Sequence, residues 1–167
     1  MFILIKNGHI EPDEWRTLSL AESDTPQTVR IPVGPVLVPL PVWQARRAEL
    51  IYREYEHGWP IGIWLEAEEG PEAIEKDVDD FSVIAVKFDK FAALKDHTTA
   101  HLLREKYGYK GELRAIGDLD GDRLAYRHQV GFDSFAVHAN PKTATTPPYW
   151  PDHTTKQSAP RFAAVSG

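Results

Sequence analysis

The chain has 167 residues, 42% hydrophobic and 26% charged, with a net charge of −6 and no cysteine, the make-up of one soluble globular domain able to bury its own core. Its negative charge and scattered lysines and arginines argue against a phosphate-backbone partner, and the lack of thiols excludes a cysteine-held iron–sulfur cluster, a dithiol relay and a cysteine nucleophile. No segment approaches the roughly 20 apolar residues of a membrane span, and the apolar Phe2-Ile3-Leu4-Ile5 run, followed by Lys6, is too short for a signal peptide, so the cytoplasm is the expected location.

In chain order, Phe2-Ile3-Leu4-Ile5 and His9-Ile10 flank Lys6-Asn7-Gly8, which predicts a tight β-hairpin. Residues 19–35 hold Pro26, Pro32 and Pro35 without a sustained period and read as a connecting loop. Val36-Leu37-Val38 makes a short strand. Pro41 suits the first position of a helix that Gly58 ends, with Trp43, Ile51 and Tyr55 as an approximate buried stripe. Ile61–Leu65 is the next strand, and Pro71-Glu72 opens a short amphipathic helix on Ile74, Val78 and Phe81. The unbroken apolar run 82–86 predicts a central strand. Thr98 or Thr99 is placed to cap a helix carrying Ala100, Leu103 and Tyr107, which Gly108 ends before a strand over 112–116. Asp118 or Asp120 is placed to cap a last helix, ended by Gly131, before a closing strand over 132–137.

This alternation predicts an α/β fold. Its mostly parallel sheet has about five strands in βα repeats, half-barrel-like or open and doubly wound, after the N-terminal hairpin. One domain is expected over residues 1–139, followed by a proline-rich tail over 140–167 that is extended or disordered.

Ligands of parallel sheets bind beyond the carboxyl ends of the strands, which singles out Glu66, Lys87, Asp89, Gly117, Asp118 and His138. Asp118 reads first as a helix cap and only second as a catalyst, because an Asp at that offset satisfies orphan N–H groups. Asp118-Leu119-Asp120-Gly121-Asp122 fails as a calcium loop, because glycine stands at the fourth position and Gln129 replaces the closing glutamate. His97 and His101 share a helical spacing but lack a third ligand, so no metal site is expected. No dinucleotide fingerprint, phosphate-binding P-loop or serine elbow is present. The acids within 66–69 and 75–80 form either a solvated face or a docking face for a basic partner.

The run 104–118, REKYGYKGELRAIGD, leading to 131–137, GFDSFAV, resembles a bacterial family of unknown function labelled as oxidoreductases of sulfite reduction. The likeness extends over residues 2–137 and includes Asp13-Glu14-Trp15-Arg16-Thr17-Leu18, Val38-Pro39-Leu40 and FSVIAVKFDKF over 81–91. It breaks in two loops. Ala93-Leu94-Lys95-Asp96-His97-Thr98 stands where the family carries Asp-Gly-Arg-Gly-Tyr-Ser, and Asp120-Gly121-Asp122-Arg123 keeps only Asp122 of the second pattern.

The resemblance implies a divergent cytoplasmic accessory of assimilatory sulfite reduction, working with sulfite reductase or another sulfate-assimilation protein; the family label names no cofactor for it. Two other readings stand beside it. One is a small enzyme that binds an anion with Lys87, Lys95, Arg114 or Arg123 and moves protons with Asp89, Asp118 or Asp122. The other is a catalytically inert interaction module. In each of the first two, the segments after residues 88 and 116 are expected to meet on one rim of the sheet.

Overall fold

The computed structural model describes residues 2–66, 68–88, 96–117, 119 and 124–138. The chain opens with strands β1 (Phe2–Lys6) and β2 (His9–Glu11), joined by Asn7 and Gly8 at φ 52° and 84°, the positive values a tight hairpin requires. There follow β3 (Arg16–Thr17), β4 (Val36–Pro39), helix α1 (Leu40–His57), β5 (Ile61–Leu65), a 3₁₀ helix (Pro71–Asp80) and β6 (Val83–Phe88). Helix α2 (Asp96–His101) runs on into a π-helical segment (Leu102–Lys106), and β7 (Glu112–Gly117), α3 (Leu124–Gln129) and β8 (Ser134–His138) complete the described fold. Helix α2 thus begins ahead of the threonines expected to cap it, and the tail expected over 140–167 lies outside the described residues.

The strands form one curled half-barrel sheet in the order β2-β1-β8-β7-β6-β5-β4-β3. From β3 to β8 every neighbouring pair is parallel, and the hairpin adds to the β8 edge with β1 antiparallel. The expected five strands are therefore corrected to an eight-stranded sheet: five follow the hairpin as read, but β3 is also present beside β4. Its two residues, Arg16 and Thr17, are too few to show a period in the sequence.

Alternate strand positions decide which side each residue serves. Ile63, Ile84, Val86, Leu113 and Phe135 point into the main core, with Trp43 and Leu50 of α1, Ile74 and Val78 of the 3₁₀ helix, and Ala100 and Leu103 of the next helix. The other side of the sheet carries a smaller cluster, Leu37, Trp64, Val83 and Ala85, against which Trp15 and Ile116 pack. The described helices contribute to the first cluster only, which is the half-barrel arrangement and not the doubly wound one.

In α1, Trp43 is buried as its spacing suggests, donating from Nε1 to Asp77 at 3.1 Å and meeting Phe81 edge-on. Ile51 and Tyr55, expected on the same buried stripe, are instead exposed, Tyr55 by 86%. Seven positions after Trp43, Leu50 returns to the core-facing side at 3.6 residues per turn, whereas Ile51, eight positions on, does not. The helix also carries a break at Arg46, whose φ of −132° and ψ of 31° are not helical.

The stretch that carries the family resemblance fastens strand entries together. Arg104 donates to the carbonyls of Tyr109, Gly111 and Gly131 and to the Asp133 carboxylate. Asp133 in turn accepts from Leu113 N–H at 2.9 Å, and burial pushes the Tyr109 hydroxyl well above its ordinary range. These contacts hold β7 and β8 at their N-terminal ends.

Candidate functional site

The side of the sheet without described helices is concave, and what covers it comes from the segment around β3. Arg16 N–H donates to Pro35 O and Leu18 N–H to Leu37 O, so the segment lies along β4. Trp64 on β5 donates from its indole to Leu18 O at 2.8 Å. Gly62 leaves room for Trp15: a β-carbon there would meet Leu37 Cδ2 at 2.5 Å, Val83 O at 2.8 Å and the Trp15 ring at 3.1 Å.

Near the N-terminal ends of the parallel strands, the concave face holds a charged network. Arg114, only 2% exposed, donates from Nε and Nη2 to Glu112 Oε2 at 3.0 and 2.8 Å and from Nη1 to Asp13 Oδ1 at 3.1 Å. Glu112 also accepts from Ser134 Oγ at 2.7 Å and pairs with Lys6 at 3.0 Å. Burial alone would push its carboxyl up, but the Arg114 guanidinium and the hydrogen bonds from Ser134, Lys6 and Arg114 outweigh that and hold it below the ordinary carboxylate range.

The sign of the pH dependence follows from that depression. Glu112 contributes stability that is complete above the ordinary glutamate value of about 4.3 and is lost as the pH falls through its lower folded value. Urea unfolding of the native chain and of Glu112→Gln is therefore expected to differ most near neutrality, with the gap closing below about pH 4. A gap that is constant down to pH 3 would show that Glu112 keeps an ordinary pKa.

Toward the C-terminal ends of the strands, the same face opens into a cavity of about 280 Å³, lined by Asp13, Thr17, Ser19, Trp64, Lys87, Ile116, Gly117 and Ala136. Lys87 is the one exposed residue of β6. Its ammonium lies 3.6 Å from Glu66 Oε1 and 5.4 Å from the Trp64 ring centre. The wall beside it depends on Gly117, at φ 96°, where a β-carbon would meet Phe88 O at 2.4 Å. Phe88 and Gly117 are paired across parallel β6 and β7, so the two strands do end on one rim.

Of the residues the sequence singled out, Lys87 and Gly117 line this cavity. Arg114 is turned to the concave face as well, but all three of its nitrogens are engaged by Asp13 and Glu112. Asp89, Lys95, Asp118, Asp122 and Arg123 lie outside the described residues. Sequence reasoning missed Asp13, Thr17, Ser19 and Trp64. The one signal for the first two was their place in the 13–18 stretch of the resemblance, and Trp64 was hidden in an apolar run with no visible alternation. Among the described residues no group of three or more histidines or acids is placed to hold a metal ion, and no helix is long and apolar enough to cross a membrane.

The model of a family described as a bacterial protein of unknown function (DUF934) matches residues 62–156, more than half of the chain. The match spans β5 to β8, and with them the Trp64, Lys87, Ile116, Gly117 and Ala136 walls of the cavity. No curated protein matches the chain.

Proposed function

We propose that this chain, which belongs to the bacterial DUF934 family, is a cytoplasmic accessory of assimilatory sulfite reduction that binds a small organic ligand in the concave-face cavity, with Lys87 receiving the ligand's anionic group. The observation that carries ligand binding is the cavity itself. It sits where parallel sheets present their strand ends, its walls are largely apolar through Trp64, Ile116 and Ala136, and a lysine with three donors stands over it. Glu66 lies too far from Lys87 for a full hydrogen bond, so the ammonium retains donors for a ligand. The link to sulfite reduction rests on the resemblance of 104–118 and 131–137 alone, and its partner is sulfite reductase or another sulfate-assimilation protein.

Calorimetric titration of the full chain with 4-methylpentanoate, a probe with an apolar body and one carboxylate, tests the site. Binding is expected, and Lys87→Met is expected to weaken it about tenfold, the worth of one solvent-screened charged contact of about 1.4 kcal/mol. Lys87 is half exposed, so the substitution should leave folding intact. Affinity unchanged in Lys87→Met would remove Lys87 from the site. For the partner, immobilised chain is expected to retain purified sulfite reductase holoenzyme from the same bacterium at low salt, and failure to retain it would detach the protein from that enzyme.

A further inference from the structure

We infer that the ligand of this cavity is a zwitterion of the α-amino-acid class, with its carboxylate at Lys87 and its ammonium at Asp13. The inference rests on the reading of the cavity as a ligand site and names what that ligand must carry. Among the described residues the cavity is lined by one cation and one anion, Lys87 and Asp13. A bare dianion such as sulfite would meet the Asp13 carboxylate as well as Lys87, and a simple amine would meet Lys87 as well as Asp13. A dipolar ligand satisfies both.

Each of these two groups is held in place by contacts that leave capacity for a ligand. Asp13 Oδ1 accepts both from Trp15 N–H at 3.0 Å and from Arg114 Nη1 at 3.1 Å. Oδ2 takes no hydrogen bond from a described residue, and a carboxylate oxygen accepts more than one. Arg114 holds the Asp13 carboxylate in position through a charge-assisted contact. Lys87 retains donors beyond its long contact with Glu66.

Size and polarity point the same way. A cavity of about 280 Å³ is near the lower end of organic-ligand pockets, roughly 300 Å³ and upward, and a four-atom oxyanion would leave most of it to water. Trp64, Ile116 and Ala136 offer apolar wall to an aliphatic side chain, while the Thr17 and Ser19 hydroxyls can support the polar end.

The test compares three probes of one shape on the full chain by calorimetry: leucine, 4-methylpentanoate, which lacks the ammonium, and 3-methylbutylamine, which lacks the carboxylate. Leucine is expected to bind at least tenfold more tightly than either analogue. Should 4-methylpentanoate match leucine, the zwitterion is overturned while the anion site stands; should the amine match leucine, both fall. No binding of leucine or 4-methylpentanoate overturns both readings. In Asp13→Asn the advantage of leucine over 4-methylpentanoate is expected to vanish, and its persistence would overturn the role of Asp13. Because Asp13 also contacts Arg114, circular dichroism first establishes that this variant folds; if it does not, the three-probe comparison on the native chain decides alone.

Discussion

Arg114→Met is expected to lower the unfolding free energy by about 3–5 kcal/mol, the usual cost of leaving the partners of a buried cation uncompensated. The guanidinium is 2% exposed and its two partners differ in what they lose. Glu112, whose side chain is 12% exposed, would keep Lys6 and Ser134 but lose its closest charge. Asp13 would lose the contact that anchors it to the sheet, loosening the segment that covers the concave face. In a chain of this size the melting temperature should fall by roughly 2–4 °C per kcal/mol.

The double variant Arg114→Met with Glu112→Gln should be less destabilised than the sum of the single ones by about 1 kcal/mol or more, because the second change removes the stranded charge. Urea unfolding of the three variants checks both statements. A loss below about 1 kcal/mol in Arg114→Met would mean the network is solvated and worth no more than surface pairs.

Gly117→Ala combines two penalties. A φ of 96° is a conformation that residues with a β-carbon rarely adopt, at a cost of about 1–3 kcal/mol. The new methyl would also stand 2.4 Å from Phe88 O and 3.0 Å from Phe88 N, which are backbone atoms of the adjoining strand and cannot swing aside. The expected outcome is a loss of about 2 kcal/mol or more, with the ends of β6 and β7 forced apart. Lys87, on β6 beside this contact, then shifts with its strand, so binding in the cavity should weaken along with stability.

Gly108→Ala supplies the comparison, since Gly108 is at φ 68° with nothing within 4 Å of its would-be β-carbon. It bears the conformational cost alone, about 1 kcal/mol, and leaves the cavity untouched. If Gly117→Ala proves no more costly than Gly108→Ala, the close approach of the two strands is not what requires glycine there.

The family-like stretch of 104–118 and 131–137 was the plainest signal in the sequence, and Arg104, Tyr109, Gly111 and Asp133 within it prove to be fasteners between strand entries. They sit at the end of the strands away from the cavity. The same stretches also carry Ile116, Gly117 and Ala136 of the cavity wall, so the run that marks kinship fastens strand entries at one end and builds the site at the other.

Local chemistry was enough to place the hairpin, the five later strands, the start of α1 to within a residue through Pro41, and the glycines that end α1 and the 102–106 segment, because turn residues and apolar runs act over a few positions. It was enough, too, to put Lys87 and Gly117 at a strand end. The face each strand buries, the addition of β3 to the sheet, and the meeting of Asp13 with Arg114, 101 positions apart, depend on how the sheet curls and on which segment lies along its concave side. An isolated apolar run such as Ile61–Leu65 is the same in either setting, so only packing distinguishes Ile63, in the main core, from Trp64, at the cavity.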